Sequence, residues 1–283
     1  MKKILISLII LIGASLFFYP KIAQYFSEKN ASFAVQTYSE EVTEIDAETI
    51  AEEFQKARDY NKALSGENIG DPFMQGSGVV LSGEYQDILN IGGTMGYLVV
   101  PKIDVNLPIY HGTADSVLQK GIGHLEGTSF PVGGHGTNAV LTAHTGLNSA
   151  KLFTNLSEMK DGDIFYLNIL NETLAYQVDQ IKVVEPLDTS ALKPVKGEDY
   201  VTLVTCTPYG INSHRLLVRG RRIPYDPETA QAQAAKATVF TAENRLLLTA
   251  ALTTSAVMLV FILFAVLIRR RINTRAERRN GQT

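Results

Sequence analysis

The chain has 283 residues, 26 of them Lys or Arg and 29 Asp or Glu, a formal net charge of −3, an ordinary apolar content and one cysteine. The charge balance excludes a general nucleic-acid binder, since no basic face is suggested outside the extreme C-terminus. The lone cysteine excludes an internal disulfide framework and any multi-cysteine zinc or iron–sulfur centre, and between two apolar ends the length leaves room for one folded domain of about 150 to 200 residues.

Met1-Lys2-Lys3 precedes an uncharged apolar run from Ile4 to Tyr19, the basic n-region and h-region of an export signal. The flank Pro20-Lys21-Ile22-Ala23 offers no clean small-x-small cleavage site, so residues 1–23 read as a signal peptide or a retained signal anchor. Residues 24–64 form a helical region. Within it, Tyr38 to Leu64 is predicted as an acidic amphipathic helix, with Val42, Ile45, Ile50, Phe54 and Ala57 at roughly helical spacing and Glu40, Glu41, Glu44, Glu52 and Glu53 on other faces. From 65 to 93 the chain is Gly-rich and aperiodic, as in GENIGDPFMQGSG. A loop of this length is usually functional or disordered.

From 94 to 226 the pattern changes to short β-type runs separated by turns: GYLVVPKIDVNLPIYHG, NAVLTAH, DIFYLNI, TLAYQVDQIKVVEP, DYVTLVTC and HRLLVRGRRI. Such spacing predicts a mainly β sandwich or barrel, with a hairpin at Asn171-Glu172 and one or two helical turns between Lys151 and Lys160. A linker or helix at 227–245 leads to Leu246–Ile268, an uncharged run long enough to cross a ~30 Å hydrocarbon core as a helix. Arg269, Arg270, Arg271, Arg275, Arg278 and Arg279 follow. Cationic flanks stay inside, which puts the tail 269–283 in the cytoplasm and the central domain outside the cell membrane.

A lone cysteine after Val-Thr in a strand is, by itself, more often a small core residue than a nucleophile. Cys206 departs from that reading in its setting. It closes a strand beside Thr207-Pro208-Tyr209-Gly210, and on an exported domain an idle thiol is a liability. A histidine and a cation are also available. His144 ends the run Asn138–Ala143 before Thr145-Gly146, so it too lies at a strand end. His111 reads as structural, and His124 and His135 as solvated or loop-fixing in Gly-rich loops. Alternation sends His214 and Arg215 to opposite faces, so only one of them faces a cleft. His144 is the best partner for the thiol. No two histidines, and no histidine and carboxylate, show close metal-ligand spacing, and no metal or cofactor is expected.

Thr202-Leu203-Val204-Thr205-Cys206 matches in full the TLxTC signature of sortases, membrane-bound cysteine transpeptidases of Gram-positive bacteria. TPYGINSHRLLVRG and LTAHTGL resemble the arginine and histidine strands of that family, in the family's order, from about Gly96 to Arg222. The resemblance implies a closed β-barrel of about eight strands with short helices. It implies Cys206 as nucleophile, His144 as acid and base, and Arg215 as the cation steadying substrate and oxyanion, with Thr205 and Thr207 in support. A span after the barrel and the Asp71-Pro72-Phe73 motif resemble class C, the pilin-polymerising sortases, in which this loop is a lid over the groove. The substrate implied is an LPxTG-like sorting signal cut between Thr and Gly through a thioacyl intermediate, and the acceptor a lysine on another pilin subunit. Three other readings stand beside it: a sortase that attaches proteins to peptidoglycan, a hydrolytic cysteine protease, and a membrane-tethered adhesion domain with an inert thiol.

Overall fold

A computed structural model of the chain describes residues 2–64, 69–74, 81–233 and 259. The chain divides into compact units 1–233 and 234–283, and the fold below is that of the first. The apolar run Leu246–Ile268, the arginine tail and most of the 227–245 linker fall outside the described residues. Among the described residues no helix is long and apolar enough to cross a membrane.

Helix α1 runs from Lys2 to Glu44 and α2 from Ala47 to Ala63. The expected single helix over Tyr38–Leu64 is therefore two. Asp46 breaks it: its backbone is extended and its carboxylate accepts from Thr49 N at 2.9 Å, an N-cap that starts a new helix. The α1 stripe Ala31, Val35, Tyr38, Val42 is buried against the barrel at helical spacing. Tyr38 fixes the contact, its hydroxyl donating to Met95 O and accepting from Leu170 N at 2.7 Å.

Eight strands close into a barrel: β1 Gly96–Val100, β2 Val105–His111, β3 Ile122–His124, β4 Thr137–Thr142, β5 Ile164–Ile169, β6 Glu172–Val184, β7 Asp199–Thr207 and β8 His214–Ile223. Their order around the wall is β1-β2-β3-β4-β7-β8-β6-β5. The expected mainly β closed barrel is thus the observed fold. Two pairs, β2 with β3 and β4 with β7, are parallel, and the rest antiparallel. Leu98, Ile109, Leu141, Leu167, Leu203 and Val218 fill the interior with no exposed surface. Each is worth about 1.5–3 kcal/mol of burial.

A second apolar cluster lies on the opposite side of part of this wall: Val140, Val204 and Leu217 packed with Ile69, Leu125 and Leu192. This second cover explains why β4 is buried at every position and why its centre, Ala139-Val140-Leu141, is apolar on both faces rather than alternating.

Two expectations fail here. Of the two readings of His124, solvated or loop-fixing, the first fails: it lies not in a loop but at the end of β3, fully buried, its ring stacked at 5.3 Å on Phe130 and 5.7 Å on Tyr85, and it fixes the loop that follows. Its Nε2 donates to Ser129 O at 2.8 Å and its Nδ1 lies 2.9 Å from the Tyr85 hydroxyl. The strand is too short for alternation to show, and Gly123 is required in it because a Cβ there would meet Gly112 O at 2.3 Å. Nor is 65–93 loop throughout. Ser82 caps α3, Gly83–Asp87, whose Tyr85 is fully buried, and Ser82 is held by Glu126.

Candidate active site

The β4–β7 register carries the site. Thr142 pairs with Val204 in parallel, so two residues further along each chain His144 comes beside Cys206, on the same side of the wall as Thr142 and Val204. On the other flank of β7, Cys206 pairs directly with Arg215 of β8. Interior positions are Ala143, Thr205 and Leu216. His144, Cys206 and Arg215 alternate with them and share the face that carries Val140, Val204 and Leu217. Two threonine hydroxyls lace the strands together beneath the site: Thr205 Oγ1 donates to Ala143 O at 2.7 Å and Thr142 Oγ1 to Val204 O at 3.1 Å. Thr207 pairs with His214 at the rim, before a cis peptide to Pro208.

The segment 69–74 lies over this face. Ile69 and Phe73 join the apolar cluster, and Asp71 and Pro72 are buried. A turn closed by Met74 N on Asp71 O aims the Asp71 carboxylate at Arg215. The two groups meet fork to fork, Nε to Oδ1 at 2.8 Å and Nη2 to Oδ2 at 2.7 Å. Nη1 is held by Asn212 O and His214 O, so the guanidinium has no free fork. The Phe73 ring lies 5.7 Å from the His144 ring and 5.2 Å from the Arg215 guanidinium carbon.

These contacts set the charge states. Burial pushes the Cys206 thiol up; Arg215 opposes the shift and Asp71 adds to it. Burial holds the His144 imidazole below its usual range, opposed by the Asp115 carboxylate at the start of α4, Asp115–Leu118. From reference values near 8.5 and 6.5 an unperturbed thiolate–imidazolium pair is about one part in a hundred of the neutral pair. Both shifts act against the ionised pair in the covered site.

The other histidines lie apart from the thiol. His111 Nε2 lies 2.8 Å from Ile88 O, and the exposed His135 lies 3.0 Å from Gly197 O. His214 leaves β8 on the side away from Arg215 and reaches Glu185 at 3.1 Å. Among the described residues no cluster of three or more His, Cys, Asp or Glu side chains is arranged to hold a metal. Asp115, Ile69 and Leu192 were not singled out from sequence. Each comes to the site from a separate connection, and only the barrel's closure brings them together.

A family model described as "Sortase domain" matches residues 98–223. Sortase A of Streptococcus agalactiae is 26% identical, the match spanning 73% of this chain and 78% of that protein. The crystal structure of sortase C-1 from Streptococcus pneumoniae is 50% identical with a TM-score of 0.66, covering 68% of this chain and 99% of that one. The pilus-related sortase C of Group B Streptococcus is 45% identical with a TM-score of 0.64, covering 68% and 97%.

Proposed function

This chain belongs to the sortase family of cysteine transpeptidases, and on that premise we propose that it joins pilin subunits through lysine isopeptide bonds. The observation that carries the reading is the convergence of Cys206, His144 and Arg215 on one face beneath Asp71-Pro72-Phe73. The higher identity to sortase C structures than to the sortase A relative supports the subclass.

Once Asp71 leaves Arg215, the thiol loses the carboxylate that disfavours its ionisation and keeps the guanidinium that favours it. Cys206 gives its proton to His144 and its sulfur attacks the Thr carbonyl carbon of an LPxTG-like signal. The oxyanion is stabilised by Arg215. As the Thr–Gly C–N bond breaks, the imidazolium proton goes to the departing Gly amine, leaving a thioacyl enzyme. A neutral lysine amine then attacks the thioacyl carbon. The C–N bond forms, the C–S bond breaks, and the amine proton passes through His144 to the departing sulfur.

The segment 69–74 serves as a lid in this reading. It holds the covered state by the Arg215–Asp71 fork and by seating Ile69 and Phe73 where the donor signal binds. The basic start and apolar run of residues 1–23 and the run Leu246–Ile268 anchor the chain in the cell membrane with the barrel outside and the tail 269–283 inside. The test is co-expression with pilins bearing LPxTG-like ends. A ladder of covalent polymers dependent on Cys206 is expected. Single wall-linked chains would assign the protein to peptidoglycan attachment instead.

A further inference from the structure

One buried amide reaches out of the barrel wall. Asn138 of β4 alternates with the interior residues Ala139 and Leu141, so its side chain lies on the outer face with Val140, the face that carries the site. It is 1% exposed. Its Oδ1 accepts from Thr202 Oγ1 of β7 at 2.9 Å, which orients the amide, and its Nδ2 donates to Leu192 O at 3.0 Å and to Ala191 O at 3.5 Å.

Those two carbonyls belong to the connection 185–198 between β6 and β7, which crosses the same face. It leaves β6 at Val184, paired with Arg215, and returns at Asp199, where β7 starts. A single 3₁₀ turn, Ser190–Leu192, forms its middle. Leu192 and Ala191 pack into the cluster of Val140, Val204 and Leu217, where Ile69 and Phe73 of the lid also lie. On either side Leu187 and Val195 are 80% and 45% exposed, so apolar packing holds only that middle turn. The other hydrogen bonds of residues 186–196 close on the connection itself, such as Leu192 N on Thr189 O and Ser190 Oγ on Asp188. Among the described residues, Asn138 alone ties this stretch to the barrel by hydrogen bonds. When the lid leaves, Ile69 and Phe73 leave the cluster, and the tether fixes where Leu192 stands.

Resting on the transpeptidase reading, we propose that Asn138 is a positioning residue: through Leu192 it sets the wall of the groove against which apolar side chains of the donor signal pack, and with it the preference for such side chains.

The test uses the full chain carrying Asp71→Ala, so that the lid does not limit entry. An LPxTG-type peptide is compared with the same peptide bearing Ala in place of Leu. Asn138→Leu, close in volume and unable to make either bond, should raise KM for the Leu peptide about tenfold, leave kcat within about twofold, and lower the Leu-over-Ala preference in kcat/KM. Hydrogen exchange at the amides of 186–196 should speed about tenfold while β7 stays protected. Thr202→Val, which frees the amide to turn, should shift KM in the same direction, and Thr202→Ser should restore it. These two variants carry the test if Asn138→Leu does not fold. An unchanged KM and preference, a loss confined to kcat, or unchanged exchange in 186–196 would overturn the proposal. If the Asp71→Ala protein cleaves neither peptide while Asn138→Leu still speeds exchange, the transpeptidase reading fails and the groove role with it, whereas the tether stands.

Discussion

Arg215 and Asp71 lie 144 residues apart in sequence, yet their side chains form a two-bond ion pair at 2.7 and 2.8 Å, both almost fully buried. The pair engages the cation that sits opposite Cys206 and pins the segment that covers it. Removing the carboxylate acts on both.

Asp71→Ala should therefore speed alkylation of Cys206 by a small reagent. Charge-assisted hydrogen bonds of this kind are worth roughly 1.5–3 kcal/mol each, and about 1.4 kcal/mol is a factor of ten. A rise of at least about tenfold is expected in the labelling rate, with Phe73→Ala adding to it. An unchanged rate in both variants means that the segment does not restrict access to the thiol.

The thiol's titration should move in opposite directions in two variants. Asp71 disfavours the thiolate and Arg215 favours it, while burial raises the starting point. The pH midpoint of alkylation should fall in Asp71→Asn and rise in Arg215→Gln. Midpoints that move together would show that uncovering, not charge, dominates.

Asp115 supports the imidazolium form of His144 against burial. Asp115→Asn should lower the His144 pKa further and carry the acid limb of the kcat/KM profile to lower pH, leaving the basic limb in place. A shift to higher pH contradicts the electrostatic assignment.

His124 makes barrel stability pH-dependent. Burial holds its folded-state pKa at about 3, against 6.5 for the free side chain. In that interval the unfolded chain binds a proton that the folded chain does not, so stability is fully present above pH ~6.5 and falls with acid. The slope is about 1.4 kcal/mol per pH unit below ~6. Urea unfolding of the full chain at pH 7, 5.5 and 4.5 should show this slope, reduced by one proton in His124→Gln. Identical slopes would assign the acid sensitivity to other groups.

The barrel and the Cys206 strand were legible because they are local. TLVTC, its turn and HRLLVRG follow one another in the chain, and six apolar runs announce a strand-rich wall. Its place at a strand end marked His144 as the thiol's best partner, and the resemblance to sortases gave it a role and pointed to Asp71-Pro72-Phe73. The register then shows how His144 comes beside the thiol: Thr142 pairs with Val204, and both chains run on two residues. Long-range facts were not legible. Alternation could not reveal β3, three residues long, so the full burial of His124 was hidden, while its hold on the loop at Ser129 fits the loop-fixing reading. The cap at Asp46 was hidden inside a helical pattern that continues across it. No local signal marks Asp115 as an electrostatic partner of His144, since the charge comes within reach only when β2, α4 and β3 are folded onto β4.

The most direct measurement is the intact mass of the Asp71→Ala protein after incubation with an LPxTG-type peptide. The expected result is an added mass equal to the peptide's acyl part ending at Thr, removed by hydroxylamine and absent from the Asp71→Ala, Cys206→Ala double variant. An adduct that persists without Cys206, or no adduct on the uncovered protein, would contradict the assignment of Cys206 as the nucleophile.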